Sequence, residues 1–127
     1  MAGVALHQTL ACPGLTLKWP NDLLLNGAKV AGILIDAAPG WLVIGIGVNL
    51  AWAPNDLAQP TTTLSAPPPT TLAPKLLAAI THWRTRYETE GFPPIQQTWQ
   101  AAAPPNTNLD QDGTLLSPSP ACGRGPG

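Results

Sequence analysis

Residues 18–49 read KWPNDLLLNGAKVAGILIDAAPGWLVIGIGVN, and this stretch decides the fold. Asn26-Gly27 separates two apolar runs. Both central positions of a two-residue type I′ turn need positive φ, which these residue types tolerate. The pair predicts a hairpin between Asp22–Leu25 and a return strand over Ala28–Asp36. Pro39-Gly40 turns the chain again, and WLVIGIGV at 41–48 predicts a third strand of an antiparallel meander. With a two-residue first turn, Leu25 faces Ala28, Leu24 faces Lys29 and Asp22 faces Ala31. Asp22 and Lys29 then lie diagonally on one sheet face, within reach of a shared ligand. A second loop over Ala37–Gly40 brings Gly32 opposite Gly45, and two facing glycines leave bare backbone on which a ligand can lie. A one-residue slip would undo these pairings.

Upstream, Leu15–Trp19 alternates like a short strand closed by Pro20-Asn21. Met1–Ala11 has weak helical periodicity through Val4, Leu6 and Leu10, stopped by Cys12-Pro13-Gly14. No N-cap type precedes that segment, so the chain is expected to open inside a helix. Downstream, 50–71 is a proline- and threonine-rich connection of a length that is usually functional or disordered. Leu72, Leu76, Leu77, Ile80, Trp83 and Tyr87 then recur at helical spacing and predict a helix over Leu72–Glu90. Thr70 or Thr71 is its expected cap, Pro74 falls in its first turn, and Gly91 ends it. A short second helix is expected over Ile95–Ala103 after Pro93-Pro94. The aromatic residues of both helices are expected in the core. From Pro104 the pattern dissolves into turn and disorder residues, and 106–127 is expected to be a disordered or out-of-frame tail. Gly123-Arg124-Gly125 neither follows a strand nor opens a helix, which removes a phosphate-loop reading.

A chain of 127 residues makes one domain at most, with a modest core. Its charged share is 10%, against roughly 25% in an average protein. With a net charge of −1 and no basic face, nucleic-acid binding is not its main activity. Most of the 16 prolines follow Ala53, which makes the second half rich in loops. Cys12 and Cys122 are far apart and His7 and His82 are isolated, so no disulfide framework or zinc site follows. No signal peptide is evident and no apolar run reaches the ~18 residues of a membrane span. A cytoplasmic protein without a membrane partner is expected.

No Ser/His/Asp or Cys/His constellation appears, and neither Asp22 nor Asp36 has a close acidic partner. Gly45-Ile46-Gly47 lacks the third glycine and the following helix of a dinucleotide fold. The remaining cluster is Lys18, Asn21, Asp22, Lys29, the facing glycines and Asn49. A lysine beside open backbone suits an anion, because its point charge neutralises phosphoryl or carboxylate oxygens. Asn49 offers both a donor and an acceptor, the pair needed to read a base such as adenine. Lysines that only solvate or protect a sheet edge are the alternative.

KWPND at Lys18–Asp22, KVAGIL at Lys29–Leu34 and GIGVN at Gly45–Asn49 resemble, in their order and spacing, the central part of the biotin–protein ligases. The order and spacing of all three motifs are similar to those of the bacterial biotin–[acetyl-CoA-carboxylase] ligases. The resemblance covers Leu15 to about Asn49 well, fits the helices to about Ala103 loosely, and does not reach the tail. It implies an α+β fold, with a mixed or antiparallel sheet and helices packed on one face. The partial catalytic domain would span 1–105.

The resemblance further implies a two-step ligase. Biotin and Mg²⁺-bound ATP give biotinyl-5′-AMP and pyrophosphate, and a lysine of the biotin carboxyl carrier protein of acetyl-CoA carboxylase then takes the biotinyl group. Lys29 matches the family lysine that contacts the biotin carboxylate and the phosphate. Asp22 matches the acidic residue near the reacting centre, suited to Mg²⁺ or the acceptor amine. Trp19, Asn21, Gly32 and Ile35 would line the biotin or adenylate wall, and Gly45, Gly47 and Asn49 would hold the adenine end. No dedicated protein metal site is implied. The family's GRGRxGR loop, its ureido-gripping polar residues, the winged helix of some members and the small SH3-like domain have no counterpart here. A fragment truncated at both ends, weakly active or inactive, is therefore expected. The alternatives are a non-catalytic module that binds adenylate or the carrier protein, and a lipoate-ligase relative, against which KWPND with GxGxN weighs.

Overall fold

The computed structural model describes residues 1–55 and 58–104. Its elements in chain order are α1 (Ala2–Leu10), β1 (Leu15–Lys18), β2 (Asp22–Leu25), β3 (Ala28–Ala38), β4 (Trp41–Val48), α2 (Pro69–Glu90) and α3 (Pro93–Ala102). The predicted short strand joins the meander, so the sheet has four strands in the order β1-β2-β3-β4, all neighbours antiparallel. The only parallel pairing among the described residues is an isolated bridge between Lys29 and Thr61. The expected tail at 106–127 lies outside the described residues.

The turns follow their sequences. Asn26 (φ 51°) and Gly27 (φ 87°) both sit at positive φ, as a type I′ turn demands. At Pro39-Gly40 the proline presets its own φ and Gly40 (φ 87°) takes the left-handed position. That turn uses two residues rather than four, so β3 runs on through Ala38, which pairs with Trp41. Gly32 consequently faces Gly47, not Gly45, and Gly45 faces Leu34.

The first hairpin departs from regularity in a second way. Leu25 pairs with Ala28 and Leu24 with Lys29, as predicted, but Leu23 then pairs with Ala31 and Asp22 with Gly32. Val30 has no partner of its own in β2, so β3 carries one extra residue at this point. The bulge turns Val30 and Ala31 both inward, at 0% and 2% exposure, and it corrects the expected pairing of Asp22 with Ala31.

One sheet face supplies Leu15, Leu17, Leu23, Ala31 and Ile33 to a core completed by Val4, Ala5 and Leu6 of α1, Leu64, Trp83 of α2, and Ile95 and Trp99 of α3. The helices therefore lie on that face, and the architecture is α+β. Trp83 Nε1 donates to Gln8 Oε1 at 2.8 Å and ties α2 to α1. Trp83 and Trp99 are core residues as expected, but Tyr87 is not: it is more than half exposed, as is Leu77. α2 starts at Pro69 behind Pro68, and no threonine side chain caps it. A proline at the first helical position loses no hydrogen bond, because that N–H would have no partner inside the helix. α3 likewise opens on Pro93-Pro94 rather than at Ile95. Leu34, opposite Gly45, is exposed on the face turned away from the helices, and Trp41, Leu42 and Val43 are exposed toward the tip of the β3–β4 hairpin.

Replacing Leu23 (0% exposed) by alanine is expected to lower unfolding free energy by about 2–5 kcal/mol in urea denaturation. Leu34→Ala, at an exposed position, should stay within about 0.5 kcal/mol of the parent. Equal costs at the two positions would contradict the assignment of the sheet faces.

Candidate functional site

The sheet face turned away from the helices carries Lys18, Asp22, Lys29, Gly32, Gly45 and Gly47. Lys18 and Asp22 are cross-strand partners, and so are Asp22 and Gly32, and Gly32 and Gly47. Directly opposed residues share a face, which groups them without further assumption. Lys29 Nζ lies 3.2 Å from Asp22 Oδ1, with the two side chains 31% and 23% exposed.

Gly32 allows this approach. A Cβ built on Gly32 would stand 3.3 Å from Lys29 Cε, 3.4 Å from Lys29 Nζ and 3.7 Å from Asp22 Oδ1. The lysine stem thus lies over the bare Gly32 backbone on its way to Asp22. Next to it, a Cβ on Gly47 would meet nothing within 4 Å, so the backbone there is open. The local charge is two lysines to one carboxylate. An ammonium has three donors, and the Asp22 pair occupies one of them, leaving two for oxygens of an anionic ligand.

Asn49 follows β4 and is held on three sides. Its N–H donates to the Val30 carbonyl at 2.8 Å, its carbonyl accepts from Leu64 N–H at 2.8 Å, and its Nδ2 donates to the Thr62 carbonyl at 3.2 Å. The segment around Thr61 returns alongside Lys29, whose N–H donates to the Pro60 carbonyl at 2.8 Å and whose carbonyl accepts from Thr62 N–H at 2.9 Å. Sequence reasoning treated 50–71 only as a long connection and missed this return. The contacts join residues 13 or more apart, and no local pattern announces them.

The remaining predicted residues lie elsewhere. Ile35 alternates with Ile33 and belongs to the helix side of the sheet. There Trp19, Asn21, Asp22 and Ile35 line a cleft of ≈ 290 Å³ together with Phe92, Ile95 and Trp99. The Trp19 and Trp99 rings meet edge to face at 5.8 Å. Burial pushes the Met1 amino group, also in this cleft, below its ordinary pKa. The structure therefore splits the expected substrate wall: Gly32 stays with Lys29, while Trp19, Asn21 and Ile35 form a second surface that meets the first at Asp22. Among the described residues no group of three or more His, Cys, Asp or Glu side chains is placed to hold a metal ion. No helix among them is long and apolar enough to cross a membrane.

Residues 14–52, which contain this face, match the model of the biotin/lipoate A/B protein ligase family. The chain is 40% identical over 127 aligned positions to the biotin–[acetyl-CoA-carboxylase] ligase of Paracoccus denitrificans, an alignment covering 81% of this chain and 51% of that protein. It is also 40% identical over 77 positions to the ligase of the same name from Mycobacterium tuberculosis, covering 54% of this chain and 29% of that one. The chain thus spans about half or less of the length of these relatives. Among solved structures, apo biotin protein ligase from Aquifex aeolicus superposes with a TM-score of 0.76 at 19% identity, over 90% of this chain and 63% of that one. The biotin protein ligase of Leishmania major in complex with biotinyl-5-AMP gives 0.70 at 21% identity, over 87% and 54%. These structures share the α+β fold described above.

Two glycine substitutions separate packing from access on this face. Gly47→Ala meets open space and should leave the thermal midpoint unchanged or slightly raised, since glycine inside a strand costs roughly 0.5–1 kcal/mol. Gly32→Ala should displace the Lys29 ammonium from Asp22 at a stability cost of about 1 kcal/mol or less, the range of a partly exposed ion pair. A crystal structure of Gly32→Ala that retains the 3.2 Å contact would remove the role assigned to this glycine.

Proposed function

We propose, for a chain that is a partial relative of the biotin protein ligases and whose segment 14–52 belongs to the biotin/lipoate A/B protein ligase family, that the face built on Lys29 is the adenylate-binding part of a biotin ligase site. The observation that carries this reading is the Lys29 ammonium lying over bare Gly32 backbone beside Asp22, with open Gly47 backbone next to it.

In the proposed reaction the biotin carboxylate attacks the α-phosphorus of ATP. Pyrophosphate leaves with the electrons of the broken P–O bond, and biotinyl-5′-AMP remains. Lys29 places positive charge where the carboxylate and phosphoryl oxygens meet, so negative charge developing there is neutralised by a group already in position. In the second step a lysine amine of a biotin carboxyl carrier protein attacks the acyl carbon. The amide forms, AMP departs, and the amine proton must be taken up. Asp22 stands 3.2 Å from the Lys29 ammonium, which supports assigning it to orient or deprotonate that amine. Asp22 also touches the cleft lined by Trp19, Asn21 and Ile35, which gives the incoming acceptor chain or the biotin tail an apolar wall.

Gly45 and Gly47 leave backbone room for the nucleotide end, and Asn49 closes that end of β4. A single carboxylate already paired with lysine does not by itself make a magnesium site. Mg²⁺ typically keeps several waters and binds through one or two carboxylates together with substrate phosphates, so it would enter as part of the ATP substrate.

Calorimetric titration with synthetic biotinyl-5′-AMP tests the reading directly. The purified chain should bind it, and Lys29→Ala should weaken binding by about tenfold to a hundredfold, the worth of hydrogen bonds to a charged group. A folded sample that does not bind, or a Lys29→Ala variant that binds equally well, would sink it. Pyrophosphate release on adding biotin and ATP then separates turnover from binding alone, and the lack of release when lipoate replaces biotin separates a biotin ligase from a lipoate ligase.

A further inference from the structure

Lys18 and Lys29 are the only cationic side chains ahead of Lys75, and both stand on the face turned away from the helices. Their surroundings differ. Asp22 meets the Lys29 ammonium at 3.2 Å. Lys18 is the direct cross-strand partner of that same carboxylate, a position from which opposite charges favour pairing. Yet Lys18 makes no ion pair among the described residues, and it is exposed at the end of β1, an edge of the sheet. The Lys29–Asp22 pair is close to neutral as a unit, so Lys18 supplies the one uncompensated charge of the face.

We propose that Lys18 is the binding residue for the leaving phosphates: its ammonium takes the β- and γ-phosphoryl oxygens of ATP and then the pyrophosphate released from it. This rests on the biotin-adenylate reading of the face and adds a residue to which that reading gives no task. Lys18, Asp22, Gly32 and Gly47 are successive cross-strand partners, one on each strand. Neighbouring strands lie about 4.8 Å apart, so the row runs roughly 14 Å across the sheet. Open backbone for the nucleotide end is on β4, the Lys29 stem lies over Gly32 on β3, and Lys18 closes the row on β1. A phosphate chain that starts at Lys29 and leads away from the nucleotide therefore ends at Lys18. Asp22 lies in the row as well, and its pairing with Lys29 keeps the carboxylate from opposing the anion at full strength. When the biotin carboxylate attacks the α-phosphorus, the bond to the bridging oxygen breaks and pyrophosphate carries off the electron pair. The charge that grows on it falls beside an ammonium with no partner to give up. Because that ammonium is exposed and strongly hydrated, the highly charged product can return from it to water.

A lysine that only guards the β1 edge against strand pairing is the other use of such a residue, and it requires no ligand. Calorimetric titration of the purified chain with inorganic pyrophosphate and, separately, with biotinyl-5′-AMP decides between the two, since the adenylate keeps the α-phosphate and lacks the others. The parent should bind both. Lys18→Gln should weaken pyrophosphate binding about tenfold, the low end for hydrogen bonds to a charged group, because Lys18 is exposed. Adenylate binding by the same variant should change less than about twofold, because β1 and β3 are roughly 10 Å apart and exposed charges at that distance are largely screened at physiological salt. Lys18→Arg keeps the charge and should restore the pyrophosphate binding that Lys18→Gln loses.

Equal pyrophosphate binding by Lys18→Gln and the parent would overturn the inference and leave Lys18 as an edge guard. So would an equal loss of both ligands in that variant, which would put Lys18 at the adenylate itself, and so would a parent that binds adenylate but not pyrophosphate. A parent that binds pyrophosphate through Lys18 and binds no adenylate defeats the functional reading instead, and leaves the phosphate site standing. A folded chain that binds neither defeats both.

Discussion

The candidate site depends on one extra residue in β3. Ahead of Val30 the hairpin is regular, and Lys29 projects from the solvent side of the sheet opposite Leu24. An uninterrupted ladder would carry the same alternation forward. It would set Ala31 beside Asp22 on the solvent side, send Gly32 toward the helices and expose Ile33. The bulge reverses the alternation at a single step. Ala31 and Ile33 enter the core, at 2% and 7% exposure, and Gly32 emerges on the face of Lys29 and Asp22. The same residue thus satisfies the core and clears the path of the lysine. A bulge that re-aims side chains beside a functional surface is a recurrent use of this irregularity.

The energetics of the face favour function over stability as its reason. Three glycines in β3 and β4 cost roughly 1.5–3 kcal/mol relative to alanines at the same positions. The Lys29–Asp22 pair, about a quarter to a third exposed, returns only ~0.2–1 kcal/mol. Gly47 has open space where a Cβ would go, so packing does not require it. At Gly32 a Cβ would crowd only the lysine stem and the Asp22 carboxylate above it, at 3.3 Å from Lys29 Cε. A sheet face that gives up stability to keep its backbone bare and a cation in place breaks local rules in the manner expected of a binding site. The core side shows no such concession: among the described residues no polar or charged group is buried there.

Legibility in the sequence tracked the range of the interactions. Asn26-Gly27 and Pro39-Gly40 are local signals, and the pairs nearest the first turn, Leu25 with Ala28 and Leu24 with Lys29, followed from them. The reading failed two residues farther on, because a bulge has no signature in turn chemistry. Its one trace is the adjacent apolar pair Val30-Ala31, which an uninterrupted alternation cannot bury on one side. The second register was misread for a simpler reason: alanines at 37 and 38 look like loop yet extend the strand, which moved the glycine opposite Gly32 from Gly45 to Gly47. Asp22 beside Lys29 survived both errors, since residues on the same side of a regular or a bulged hairpin remain diagonal neighbours there. Trp19 and Ile35 were grouped with Lys29 by resemblance alone, Asn21 also by its place next to Asp22, and the position of all three on the helix side depends on α3, far downstream in the chain.

The proline- and threonine-rich connection follows the same logic at longer range. β4 ends at Val48, so Lys29 would otherwise turn two backbone groups toward an unfilled edge, and leaving such groups without partners is unfavourable wherever water is restricted. Pro60 can serve there because only its carbonyl is needed, and Thr62 supplies the matching N–H. Asn49 adds what a strand residue with an apolar side chain cannot: after its own N–H and C=O are committed to Val30 and Leu64, it still has a donor for Thr62. A short amide at the end of a glycine-bearing strand thus adds a side-chain contact that helps hold the returning segment along the sheet edge beside Lys29.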